Sequence, residues 1–78
     1  MIRFKLRERI ADKEFREGRR ITLVEVAEAT GTGRITLSRM LKRGAVMRTD
    51  TLDRLCAYFE CDLDDLAEYL PDESSPDP

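Results

Sequence analysis

Apolar positions recur along this chain at two periods. Ile2, Phe4 and Leu6 alternate with Arg3 and Lys5, the period of a short extended segment. From about Lys5 the period lengthens. Leu6, Ile10 and Phe15 fit one face of a helix running to about Glu17, with Arg7, Glu8, Arg9, Asp12, Lys13, Glu14 and Arg16 outside. Asp12 and Arg16 stand at the attractive i,i+4 spacing, whereas Glu8 with Asp12 and Arg9 with Lys13 repel. Residues 2–4 keep two readings open: a strand that pairs with another subunit, or the first turn of this helix. Gly18 ends the helix.

The most structured pattern runs from Thr22 to Gly44 and reads as helix, tight turn, helix. Thr22 is placed as an N-cap and Glu25 stands three residues on, the spacing of a capping box. Ile21 and Val26 flank the cap as a hydrophobic staple. Gly31 falls where a helix ends in a left-handed residue. A second helix follows, with Leu37, Met40 and Leu41 on one face. Its other face carries Arg34, Ile35, Thr36, Ser38, Arg39 and Lys42.

Gly44–Arg48 reads as a loop in which Val46 or Met47 plugs the core. A fourth helix starts at Thr49 or Asp50, with Leu52, Leu55, Cys56 and Phe59 inward and an acid in its first turn that suits the helix dipole. Asp62 caps a short fifth helix with Asp65 three residues later; Leu63, Leu66 and Leu70 are its apolar positions, and Pro71 stops it. Residues 71–78, with nothing apolar to bury, are expected to form a disordered acidic tail. The pattern predicts an all-α, five-helix domain over residues 1–70.

Two short helices joined by a glycine-containing turn define a helix-turn-helix, whose second helix enters the DNA major groove. The spacing of Ala27, Gly31, Leu37 and Met40, with Val26 inward, resembles the phage-repressor and Cro-type helix-turn-helix family, often called the Xre family. The helices at T-L-D-R-L-C-A-Y-F-E-C-D-L-D-D-L resemble that family's fourth and fifth, so the likeness spans roughly residues 5–70. It implies a lambda-repressor-like fold and a sequence-specific DNA-binding transcriptional regulator. The regulator would act as a repressor by operator occupancy, as a homodimer on a palindromic operator in double-stranded DNA. Gly33 stands where members often carry Ser, which weakens the cap of the recognition helix.

Charge sharpens this picture. The net charge is only −2, but residues 1–48 carry 13 Lys/Arg against 6 Asp/Glu, a net of +7. Residues 49–78 carry one basic residue, Arg54, against 10 acidic ones, a net of −9. Such a field steers a basic face to phosphate and turns the acidic end away. The acidic C-terminal third, or Ile2 and Phe4, also supports a different class of reading: an antitoxin-like or adaptor module that binds a protein partner.

Base readout requires donors and apolar groups at base edges, and affinity requires cations and amides at phosphates. Arg34 at the start of the recognition helix suits guanine, Ile35 and Thr36 suit a thymine methyl, and Arg39 follows one turn on. The resemblance assigns base contacts to these four. Thr22, Gly33, Ser38, Lys42, Arg43 and Arg48 are the candidates for phosphate contacts. An outward-facing apolar residue such as Ile35 is wasteful unless something covers it.

Catalysis finds no support. The chain has no histidine, no nucleophile beside a base and no phosphate-binding glycine motif, so it is read as a non-enzyme without cofactor. Two cysteines are too few for a structural zinc site; Cys56 and Cys61 are read as free thiols, a redox disulfide being the alternative. Asp62, Asp64 and Asp65 lack the glycine and distal glutamate of a calcium loop, so no metal site is expected. With no membrane span or secretory signal, the expected compartment is the cytoplasm.

Overall fold

The computed structural model describes residues 1–42 and 44–71. The elements are β1 (Ile2–Phe4), α1 (Leu6–Glu17), α2 (Leu23–Thr30), α3 (Arg34–Met40), α4 (Thr49–Phe59), α5 (Leu63–Leu66) and β2 (Ala67–Tyr69). The expected acidic tail covers residues 71–78, of which only Pro71 is described; residues 72–78, like Arg43, lie outside the described residues.

Local signals placed the first helices correctly. Gly18 closes α1 at φ 66°, its amide bonding the Glu14 carbonyl. The Glu14 side chain then accepts the Ile21 amide at 2.8 Å, tying the connection back onto α1. Thr22 caps α2 through the Glu25 amide at 3.2 Å. Gly31 closes α2 at φ 69°, where a Cβ is disfavoured, and Thr32 continues the turn by donating to Ala27. The staple pair Ile21 and Val26 is buried, as are Leu37 and Met40 on α3.

α2 packs on α3, and α4 packs against both α1 and α2. The core is Leu6, Ile21, Val26, Ala27, Leu37, Met40, Leu55, Phe59 and Leu66, one contiguous cluster drawn from α1, the helix-turn-helix, α4 and α5. Leu52, Cys56 and Met47 are half-buried against it. Of the two loop residues expected to plug the core, Met47 does so, and Val46 is 91% exposed. Phe15 was expected inward and is 87% exposed. The reason is angular: five residues turn a helix by about 140° beyond one full revolution, which carries Phe15 away from the Leu6 and Ile10 stripe.

The main correction lies at the chain ends. The fold is not all-α: β1 pairs antiparallel with β2 in the register Ile2↔Tyr69, Arg3↔Glu68 and Phe4↔Ala67. Lys5 donates to the Leu66 carbonyl at 2.6 Å, and Leu70 to the Met1 carbonyl at 2.7 Å. The fifth helix therefore stops at Leu66 after one turn, before Leu70 is reached. Its cap is as expected, with Asp65 accepting the Asp62 amide at 3.1 Å. Residues 2–4 pair within the chain, and Arg3 bridges Glu68 and Glu8. The basic N-terminus and the acidic C-terminal third are thus stitched together at this edge.

Candidate nucleic-acid interface

α3 is seven residues long and buries Leu37 and Met40, which leaves its opposite face to solvent. Arg34, Ser38 and Arg39 are exposed there and Thr36 is half-buried. Ile35 is 69% exposed, an apolar side chain held in water by a helix whose other side is anchored. Among the described residues neither Arg34 nor Arg39 nor Lys42 has an ion-pair partner.

Two shallow clefts border this face. One is lined by Leu23 of α2 together with Arg34, Ile35, Ser38, Arg39 and Lys42. The other lies between the turn and α4 and includes Thr32, Gly33, Thr36, Arg39, Arg48 and Arg54. Arg39 borders both. Of the four residues expected at base edges, Arg34, Ile35 and Arg39 border the first cleft on the exposed side of α3, whereas the half-buried Thr36 borders only the second, which Arg39 also reaches.

The phosphate candidates are more dispersed. Thr22 is exposed at the α2 N-terminus and already uses its hydroxyl as a cap. Gly33 occupies the N-cap of α3 with extended backbone and no side chain to close it. Ser38 and Lys42 border the α2–α3 cleft. Arg48 is not free: its Nε meets Asp50 Oδ1 at 3.0 Å. Arg54, the single basic residue of the C-terminal part, reaches Asp50 Oδ2 at 3.5 Å from the next turn. Burial pushes the Asp50 carboxyl up, but the charge of Arg48, its hydrogen bond and Arg54 outweigh this and hold it below the usual aspartate range.

Sequence reading missed the place of Asp50, Arg54, Thr32 and Leu23 at these clefts. The i,i+4 spacing of Asp50 and Arg54 was a visible signal for one contact; the convergence with α3 was not visible.

The remaining candidates are placed plainly. Cys56 and Cys61 are free and half-buried, and burial, the largest cause for both, pushes both thiols up. Asp62, Asp64 and Asp65 bring one carboxylate oxygen each within 4.8 Å of one another, all on exposed residues. No helix among the described residues is long and apolar enough to cross a membrane.

Two short helices joined by a glycine turn, the second exposing an isoleucine between arginines that have no ion-pair partner among the described residues, form a helix-turn-helix, a DNA-binding motif. Residues 5–72 match the Cro/C1-type HTH DNA-binding domain, and the chain belongs to that family. It is accordingly a DNA-binding transcriptional regulator. No curated protein and no solved structure matches the chain.

Proposed function

We propose that the protein is a sequence-specific repressor that acts by occupying an operator. The observation that carries this reading is the outer face of α3, where Arg34 and Arg39 flank Ile35 without ion-pair partners among the described residues. Arg34 and Arg39 take guanine edges, and Ile35 and Thr36 cover a thymine methyl. Thr22, Gly33, Ser38, Lys42, Arg43 and Arg48 contact phosphates. Two chains bind an inverted repeat, with their α3 helices about 34 Å apart, one helical turn of DNA. Residues 1–70 form the helix-turn-helix DNA-binding domain, which works in the cytoplasm and without catalysis.

Selection from a random duplex library, with stoichiometry read by native mass, tests this. Enrichment of an inverted repeat bearing two chains supports it. Recovery of no preferred sequence at low salt would sink it.

One observation favours a second reading, the protein-interaction module. Ile2, Leu63 and Tyr69 are exposed apolar residues gathered at the sheet, with Asp64 and Glu68 at their rim. That patch fits a partner with an apolar centre and a basic border. Salt separates the readings. Binding through several phosphates weakens steeply as salt rises, and an apolar interface does not.

A further inference from the structure

Three guanidinium groups border the cleft between the turn and α4: Arg39 from α3, Arg48 before α4 and Arg54 within it. Asp50 is the single carboxylate at that cleft among the described residues. It holds Arg48 through two hydrogen bonds, Nε to Oδ1 at 3.0 Å and Nη2 to Oδ2 at 3.3 Å. Arg54 adds its Nη2 at 3.5 Å from the same Oδ2. At the cleft lies Thr32, only 7% exposed, whose Oγ1 is buried without a hydrogen-bond partner among the described residues. Cations, a spare hydroxyl and one internal anion therefore share a single concavity beside the α3 recognition face.

We infer that Asp50 is an internal stand-in for a DNA phosphate: it holds Arg48 and Arg54 in the free protein and yields them to the backbone on binding. This rests on the DNA-binding reading and extends it to how affinity is set. The Asp50 side chain is half exposed and that of Arg48 is 84% exposed, so the pair is weak in water and the exchange is easy. A phosphate offers the guanidinium the same two-oxygen geometry and releases counterions as well. Until the exchange occurs, the carboxylate cancels part of the local positive field. Asp50 thereby lowers affinity for every duplex alike, because the contact it competes with carries no base information.

The sign of the effect separates this role from a structural one. Asp50 lies in the first turn of α4, where an acid favours the helix dipole. If Asp50 served only the helix, or aimed Arg48 at DNA, its loss would weaken binding. As an internal competitor, its loss strengthens binding.

The test compares wild type, Asp50→Asn and Asp53→Asn on a mixed-sequence duplex across a salt series, by fluorescence anisotropy. Asp53 is exposed on α4, outside the cleft, and its replacement matches the change in net charge. Asp50→Asn is expected to bind about threefold tighter than Asp53→Asn, the scale of one exposed ion pair. Its salt slope is expected to steepen by about one ion. Adding Arg48→Ala to Asp50→Asn should remove most of the gain. Thermal melts confirm folding, and Asp50→Ser replaces Asn if the melt shows damage. Affinity for Asp50→Asn equal to or below that of Asp53→Asn overturns the inference. A wild-type chain that binds no duplex at low salt overturns the DNA-binding reading itself, and this inference with it.

Discussion

Glu25 grips Arg19 through both carboxylate oxygens, at 3.0 Å from Nη1 and 2.6 Å from Nη2. The sequence pattern assigns Glu25 a different partner, the amide of Thr22 in a reciprocal capping box. Half of that box exists, since Thr22 accepts the Glu25 amide. The Glu25 carboxylate instead reaches across the α1–α2 connection, where Arg19 also meets Glu17 at 2.9 Å. The two helices are thus pinned at the entrance to the DNA-binding motif by a fork of charges.

That fork predicts an acid-sensitive stability. The Arg19 hydrogen bond chiefly lowers the Glu25 carboxyl below its usual value, and the Lys13 hydrogen bond does the same for Glu17. Both folded values lie below the unfolded ones, so their contribution is complete above the ordinary glutamate range. It is lost as pH falls through the depressed values, below about pH 4. Melting temperature followed from neutral to acid should fall there, and Arg19→Gln should flatten that limb. An unchanged acid limb in Arg19→Gln would show that the fork carries no stability.

The sheet predicts a sharp contrast between two leucines three residues apart. Leu66 is fully buried where α5 hands over to β2, and Leu63 is 56% exposed. Leu66→Ala should cost about 2–5 kcal/mol. Leu63→Ala should stay within about 0.5 kcal/mol. Denaturant midpoints for the two variants check this; equal costs would favour a longer fifth helix with both leucines inside.

α3 predicts a separation of stability from binding. Met40→Ala should cost about 2–5 kcal/mol of stability, because Met40 is 1% exposed. Ile35→Ala should leave stability within about 0.5 kcal/mol and weaken operator binding. Arg34→Ala and Arg39→Ala should each cost about 1–3 kcal/mol at the operator and relax base preference at one position, whereas Lys42→Ala should weaken all sequences alike. Paired melting and binding curves decide. If Arg34 and Arg39 are both removed and discrimination survives, the recognition face lies elsewhere.

Glu60 predicts a gain. It closes α4 at φ 55°, the left-handed region, as a residue with a Cβ. Glu60→Gly removes the steric cost and should stabilise the fold by about 0.5–1 kcal/mol, less the extra entropy of glycine in the unfolded chain. A lower denaturant midpoint in Glu60→Gly would contradict this.

The helix-turn-helix was legible because its determinants are local. Thr22, Gly31 and the spacing of Val26, Leu37 and Met40 act within one or two turns, so backbone preference and amphipathic period agree with the fold. The outer face of α3 followed from the same period, which set Arg34, Ile35 and Arg39 opposite the buried stripe. Phe15 was misread because an apolar side chain was counted as inward although its angle had drifted off the stripe.

The chain ends were legible only in part. Alternation at Ile2 and Phe4 marked an extended segment, but its partner strand lies at Ala67–Tyr69, and nothing local names it. Leu63, Leu66 and Leu70 fit a helical period equally well.

The sequence by itself determined the cap, the turn, the buried stripe and the outward arginines of the motif, because each depends on neighbours a few residues away. Tertiary structure alone decided that the ends pair as a sheet, that α5 stops at Leu66, and that Asp50 and its local partners Arg48 and Arg54 come to lie beside Arg39 of α3. Those outcomes join residues far apart along the chain, where backbone hydrogen bonds and charges find partners only after the core has brought them together.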